Sequence, residues 1–245
     1  EGVDMSDAHT HDHDHAHDDH AHEEPKGIRN TAQFILTGLS GGHAVFHWFS
    51  QSFFVMLPEV VATFGLSGLQ VGAVATTREM VSGIIALPGG VVTDMLRRHW
   101  GSVLTACMAF FGLGWLIMGI SPSYPILLIG MAIVAAAASM WHLPATAALS
   151  HRFSHHRASA LSLHGVGGNI GDVLGPALTG VLLLTLSWRG ILSIYAAVPL
   201  FLAFVVFWAF RNIGHSENND SKPARFQEQM AKTRESFKEH PRLWG

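Results

Sequence analysis

The chain has 245 residues, 49% of them apolar and only 13% charged, with a formal net charge of −3. Its basic residues are dispersed and no aromatic-basic patch recurs, which argues against nucleic acid as a partner. The single cysteine, Cys107, excludes an intrachain disulfide, and the lack of a Gly-x4-Gly-Lys phosphate loop leaves neither an enzyme nor ATP-driven transport any support.

The first thirty residues form a polar head without the apolar run of a signal peptide. Within it His9, His11, His13, His15, His17, His20 and His22 alternate with carboxylates. Imidazoles at that density bind divalent transition metals such as zinc, nickel or cobalt without any fixed geometry. Metal on the head is therefore an expectation, and no other cofactor is expected.

Residues 31–211 read as an all-α membrane domain. Helical runs of about 20 apolar residues cross a bilayer, and six are placed at 33–61, 69–96, 102–120, 125–149, 158–186 and 191–210. Residues 32–57 and 101–151 contain no Asp, Glu, Lys or Arg, whereas a soluble domain carries charge on every outer helix face. A polar tail, 212–245, follows and includes a charged helical stretch over 225–239. The sequence begins with Glu1 and stops at Gly245, so a further membrane half is expected beyond its end.

Thirteen of the fifteen Lys and Arg residues fall before the first span, in the loops joining spans two to three and four to five, or after span six. Basic residues in short loops stay on the cytoplasmic side. Both termini are therefore expected in the cytoplasm of a multi-pass protein of the cell's inner or plasma membrane.

Ionisable residues at membrane depth are costly and face a polar cavity or a partner. His43, in span one, and Arg78, in span two, both lie about 15 Å deep at 1.5 Å per residue, and are expected to share a cavity. Asp172, in span five, reaches roughly 21 Å from the cytoplasmic side by the same rise, within range of His47. Four residues apart, His43 and His47 share one helix face, suited to a proton relay, to substrate binding or to a metal ion. Arg78 and Glu79 point about 100° apart, so at least one is expected to line the cavity. His142 and His164 are expected to make helix contacts.

The stretch Gly90-x3-Asp94, closed by Arg97, Arg98 and His99, resembles the loop between helices two and three of the major facilitator superfamily. Met95 and Arg97 depart from the family pattern of basic residue and glycine. Gly90 is expected to let helices approach closely, and Asp94 with Arg97 and Arg98 to hold a cytoplasmic gate. Span five carries Gly171, Gly175, Pro176 and Gly180, similar to the Gly-Pro motif of drug/proton antiporters in that superfamily; small residues of this kind let membrane helices pack backbone to backbone. The runs Trp141-His142-Leu143-Pro144-Ala145 and Val166-Gly167-Gly168-Asn169 resemble the fosmidomycin-resistance-type exporters, without that family's Glu.

The resemblance implies the first six of twelve helices, arranged as two inverted three-helix repeats about a midplane site. It implies a secondary active transporter in the lipid bilayer, exporting a small organic compound coupled to protons. His43, His47, Arg78, Glu79, Asn169 and Asp172 are its candidate pathway. The alternatives are a divalent transition-metal exporter of the same fold and a non-transporting assembly or sensor subunit.

Overall fold

The structure is a computed structural model and describes residues 27–214 together with Glu235. The head histidines His9 to His22, and all of the tail stretch 225–239 but Glu235, lie outside the described residues. Among those described there are six α-helices and no strand.

Helix α1 spans Ala32–Phe64, α2 Gly68–Met95, α3 Trp100–Gly119, α4 Tyr124–Arg152, α5 Arg157–Leu182 and α6 Trp188–Phe210. The Thr31 hydroxyl caps α1 by accepting from the Phe34 N–H at 3.3 Å, and Gly65 ends that helix at φ 60°, a left-handed conformation that glycine adopts without Cβ strain. Ser67 and Gln70 form a reciprocal capping box at the start of α2, which satisfies N–H groups otherwise orphaned at a helix start.

Two boundaries depart from the sequence expectation. Helix α5 stops at Leu182, and residues 183–187 form the connection that the sequence reading gave partly to span five. Helix α6 begins three residues early because the Ser187 hydroxyl accepts from the Gly190 N–H at 3.2 Å. Arg189, which reads as a loop residue, donates to the carbonyls of Gly119 at 3.1 Å and Ser121 at 2.7 Å. Its guanidinium also lies over the Trp188 ring, 4.3 Å from the centroid, so the charge is met without leaving the helix.

Of the six expected spans, three are long and apolar enough to cross a membrane by length and composition alone: α4, α6, and α3 with the turn before it. The other three helices contain 33, 28 and 26 residues but carry His43, His47, Arg78, Glu79, Asp94, His164 and Asp172. His43, His47, His164 and Asp172 among them sit on the faces where helices meet, as ionisable groups in membrane helices do, whereas Glu79 and Asp94 are exposed.

The dominant packing pairs are α1 on α5, α3 on α6, α3 on α4 and α2 on α4. Phe46, Phe53, Phe111, Trp115 and Trp141 are fully buried at the centre, with Phe46 4.2 Å from Phe111 and 5.0 Å from Trp141 by ring centroids. Phe201, Phe204 and Trp208 of α6 stay exposed, as side chains bathed in lipid require.

The α1–α5 seam sets the position of the site. A Cβ at Gly167 would strike the Ser40 carbonyl, one at Gly171 the Ala44 carbonyl, and one at Gly175 the Trp48 carbonyl. Three glycines four residues apart thus lie on three α1 carbonyls with the same spacing, so the two backbones touch for two helical turns. Gly180 has open space where its Cβ would be, so the last glycine of the motif takes no part. The close approach expected at Gly90 falls instead at Gly89, where a Cβ would strike the Leu143 side chain of α4.

Candidate functional site: an imidazole cluster between α1, α4 and α5

The backbone contact along α1 and α5 brings side chains just beside the glycine stripe into register. His43 lies one residue before Ala44, and a Cβ at Gly168 would meet its ring at 2.8 Å; glycine there leaves room for an imidazole between the helices. The His43 ring stacks on that of His164, with centroids 4.2 Å apart and planes 7° from parallel. It meets His47 edge-on at 4.5 Å and His142 edge-on at 4.8 Å. Three imidazoles, from α1, α4 and α5, therefore pack around the ring of His43.

Two hydrogen bonds fix ring orientations. His43 Nδ1 lies 2.9 Å from the His164 carbonyl oxygen; a carbonyl can only accept, so Nδ1 carries the hydrogen and Nε2 the lone pair. His47 Nδ1 donates to Asp172 Oδ1 at 2.9 Å, with both side chains about one-third exposed. The expected approach of Asp172 to His47 is thus a direct contact. His164 is buried, and neither ring nitrogen has a hydrogen-bond partner.

The depths agree. At 1.5 Å per residue His43 is about 16 Å from the start of α1, His142 about 15 Å from the end of α4 and His164 about 10 Å from the start of α5. His47 and Asp172 lie roughly 22 Å along their helices by the same rise. His142 and His164, expected as helix contacts, stand inside the cluster. The signal for them was the depth rule already applied to His43: α4 and α5 meet at the same membrane end where α1 begins, so distances counted from those ends coincide.

The other candidates lie elsewhere. Arg78 lines a recess with Ser50, Phe53, Phe54 and Met131, a lining that includes neither His43 nor His47. The Arg78 guanidinium sits 5.5 Å from the Phe54 ring centroid and reaches the exposed Glu79 carboxylate at 3.8 Å. Asn169 is exposed on α5.

At the α2–α3 turn, the Trp100 indole donates to the Thr93 carbonyl at 2.8 Å and Arg97 lies 5.9 Å from the Trp100 ring centroid. Asp94 and Arg98 are exposed there. The same end of the bundle is tied by Arg152, which donates to the Asn30 carbonyl at 2.8 Å, and by Arg29, which donates to the Trp208 carbonyl at 2.9 Å.

A six-helix bundle with ionisable groups at depth and a basic α2–α3 turn has the build of an integral membrane protein. Residues 39–244 match the family model of the Major Facilitator Superfamily, and the chain belongs to that family. It is 24% identical over 183 residues to a probable hexose phosphate transport protein of Chlamydia muridarum, covering 74% of this chain and 40% of that one. It is 24% identical over 149 residues to the fosmidomycin resistance protein of Escherichia coli, covering 61% and 36%. The fold is similar to a bacterial homologue of the human lysosomal transporter Spinster, in an inward-facing and unoccupied conformation, with a TM-score of 0.70 and 17% identity over 90% of this chain and 51% of that one. The chain thus spans well under half the length of these two relatives. They are transport and resistance proteins of a transporter family, not enzymes.

Proposed function

We propose that the chain is the first membrane half of a secondary active carrier that couples export of a small organic compound to proton movement. The observation that carries this reading is the His47–Asp172 pair, a titratable imidazole and a carboxylate joined across the α1–α5 seam at membrane depth. Ionisable pairs in such positions mark proton and substrate pathways, and imidazole exchanges protons near neutral pH.

The packing supports two inverted three-helix repeats. Exchanging α1–α3 for α4–α6 turns the α1–α5 contact into the α4–α2 contact, and both are major seams, while the α3–α4 seam has only a minor α6–α1 counterpart. In such folds substrate binds near the midplane between halves that rock against each other. The apolar face of α5 that carries Val166, Ile170 and Val173 is exposed and borders Asn169; the second half covers it in this reading. In this reading both termini lie in the cytoplasm and the membrane is the cell's inner or plasma membrane, an orientation that the basic helix ends favour.

Similarity to the fosmidomycin resistance protein supports export and makes fosmidomycin the first probe. Inverted vesicles containing the full-length carrier are expected to accumulate it under a proton gradient and to lose it when a protonophore collapses the gradient. Accumulation that survives the protonophore contradicts proton coupling. Absence of flux for this probe and for a panel of small organic anions and cations would move the chain to the assembly or sensor reading.

A further inference from the structure

We propose that His43, His142 and His164 form an exchangeable binding site for a divalent transition-metal ion of the zinc class. The site goes beyond the carrier reading, because ion binding requires neither export nor an organic cargo.

One nitrogen of each of the three imidazoles lies within 4.8 Å of the other two. Bonds of about 2.0–2.1 Å from zinc to imidazole nitrogen put ligand atoms in a tetrahedral site about 3.3 Å apart, so the set closes when the nitrogens draw together by up to about 1.5 Å and the stacked His43 and His164 rings turn toward the ion. The rings come from three different helices, α1, α4 and α5, so an ion at their centre would tie α4 to the α1–α5 pair that the His43 and His47 hydrogen bonds already join.

His164 supplies the independent sign of a missing partner. It is only 3% exposed, and both ring nitrogens lack any hydrogen bond. A buried imidazole without a partner forfeits the hydrogen bonds that water gave it. The indoles of Trp48, Trp115 and Trp141 also lack partners, but an indole nitrogen has no lone pair to offer an ion. An imidazole has one, in the plane of its ring, and His164, stacked on His43 at 4.2 Å, reaches a shared ion by turning out of that stack.

The surroundings are those of a metal ligand. His43 Nδ1 donates to a backbone carbonyl, the outer hydrogen bond that fixes the tautomer of a ligating histidine and raises its basicity. His47 stands outside the triad, its ring 6.2 Å from that of His142, and is held by Asp172. Three protein ligands with an open fourth position are the arrangement of an exchangeable zinc site, whereas structural zinc is closed by four. Soft sulfur is absent from the set, and imidazole favours zinc, nickel and cobalt over magnesium or calcium.

The test uses the purified full-length chain with the seven head histidines, His9 to His22, replaced by Gln, so that ions on the head do not mask the site. Zinc binding is measured by calorimetry, and cobalt is added as a spectroscopic probe whose visible bands report a four-coordinate nitrogen site. One tight equivalent is expected. His142→Gln and His164→Gln should each weaken it at least about tenfold, while His155→Gln, in the exposed α4–α5 turn, leaves it unchanged. Because His164 is buried, its variant is paired with His142→Gln, whose ring is less enclosed, and helicity is checked for both. Proteoliposome flux separates the ion's roles: zinc counter-transported against protons is cargo, and zinc bound without flux is resident. Either outcome keeps the site. Failure of the head-substituted protein to bind zinc or cobalt, or binding that survives both folded triad variants, overturns it. Organic export under a gradient is read in a separate assay, so the carrier reading and the metal site fail independently.

Discussion

His47 Nδ1 donates to Asp172 Oδ1 at 2.9 Å across the seam where α1 and α5 touch backbone to backbone. Gly171, one residue before Asp172, rests on the Ala44 carbonyl, and Gly175 on that of Trp48. The glycine stripe is thus what brings a histidine of one helix and a carboxylate of the next into hydrogen-bonding range, and the chemistry of the site depends on packing that carries no chemistry itself.

The stripe can be tested by volume. Gly171→Ala and Gly175→Ala place a methyl group into a backbone carbonyl, so each should destabilise the bundle by about 1–3 kcal/mol, the usual cost of overpacking. Gly180→Ala has open space and should lie within about 0.5 kcal/mol of the parent, or above it through better helix propensity. Unfolding midpoints in detergent measure the difference. Equal midpoints for all three would remove the backbone contact from the account.

Asp94→Asn at the α2–α3 turn should insert and fold normally but cut transport strongly, because the charge acts in closing the cytoplasmic side and not in packing. The comparison is transport per amount of protein in vesicles. Wild-type flux from the mutant would reduce Asp94 to an ordinary solvated charge.

Orientation follows from the basic loops. Cysteines introduced at His155, in the α4–α5 turn, and at Ser123, in the α3–α4 turn, should react oppositely with an impermeant thiol reagent in intact cells: Ser123→Cys labelled, His155→Cys protected. The native Cys107 is buried and should stay silent. Labelling of His155→Cys and protection of Ser123→Cys would invert the topology.

Much of the fold is legible in the sequence because apolar runs of about 20 residues and the charge-free stretches 32–57 and 101–151 mark the helices. Arg189 misleads, since its charge is met by the carbonyls of Gly119 and Ser121, which belong to another segment. The similar depths of His47 and Asp172 make their meeting an expectation, which the α1–α5 glycine contact turns into a hydrogen bond. The inclusion of His142 and His164 cannot be read so directly, because it depends on which helices cross and in which register, and that is decided by Gly167, Gly171 and Gly175 against Ser40, Ala44 and Trp48. Arg78 shows the converse: similar depth to His43, but a place against Phe54 and Glu79 on a different seam.

The most direct measurement is a double-mutant cycle on proton flux. His47→Gln, Asp172→Asn and the double variant are reconstituted in the full-length carrier, and substrate-driven proton movement is followed with a pH-sensitive dye. If the pair acts as one unit, each single variant should lose at least about tenfold, and the double should be no slower than the worse single, because residues of one network are not additive. Additive losses, or a single variant retaining wild-type proton flux, would contradict a shared role for His47 and Asp172.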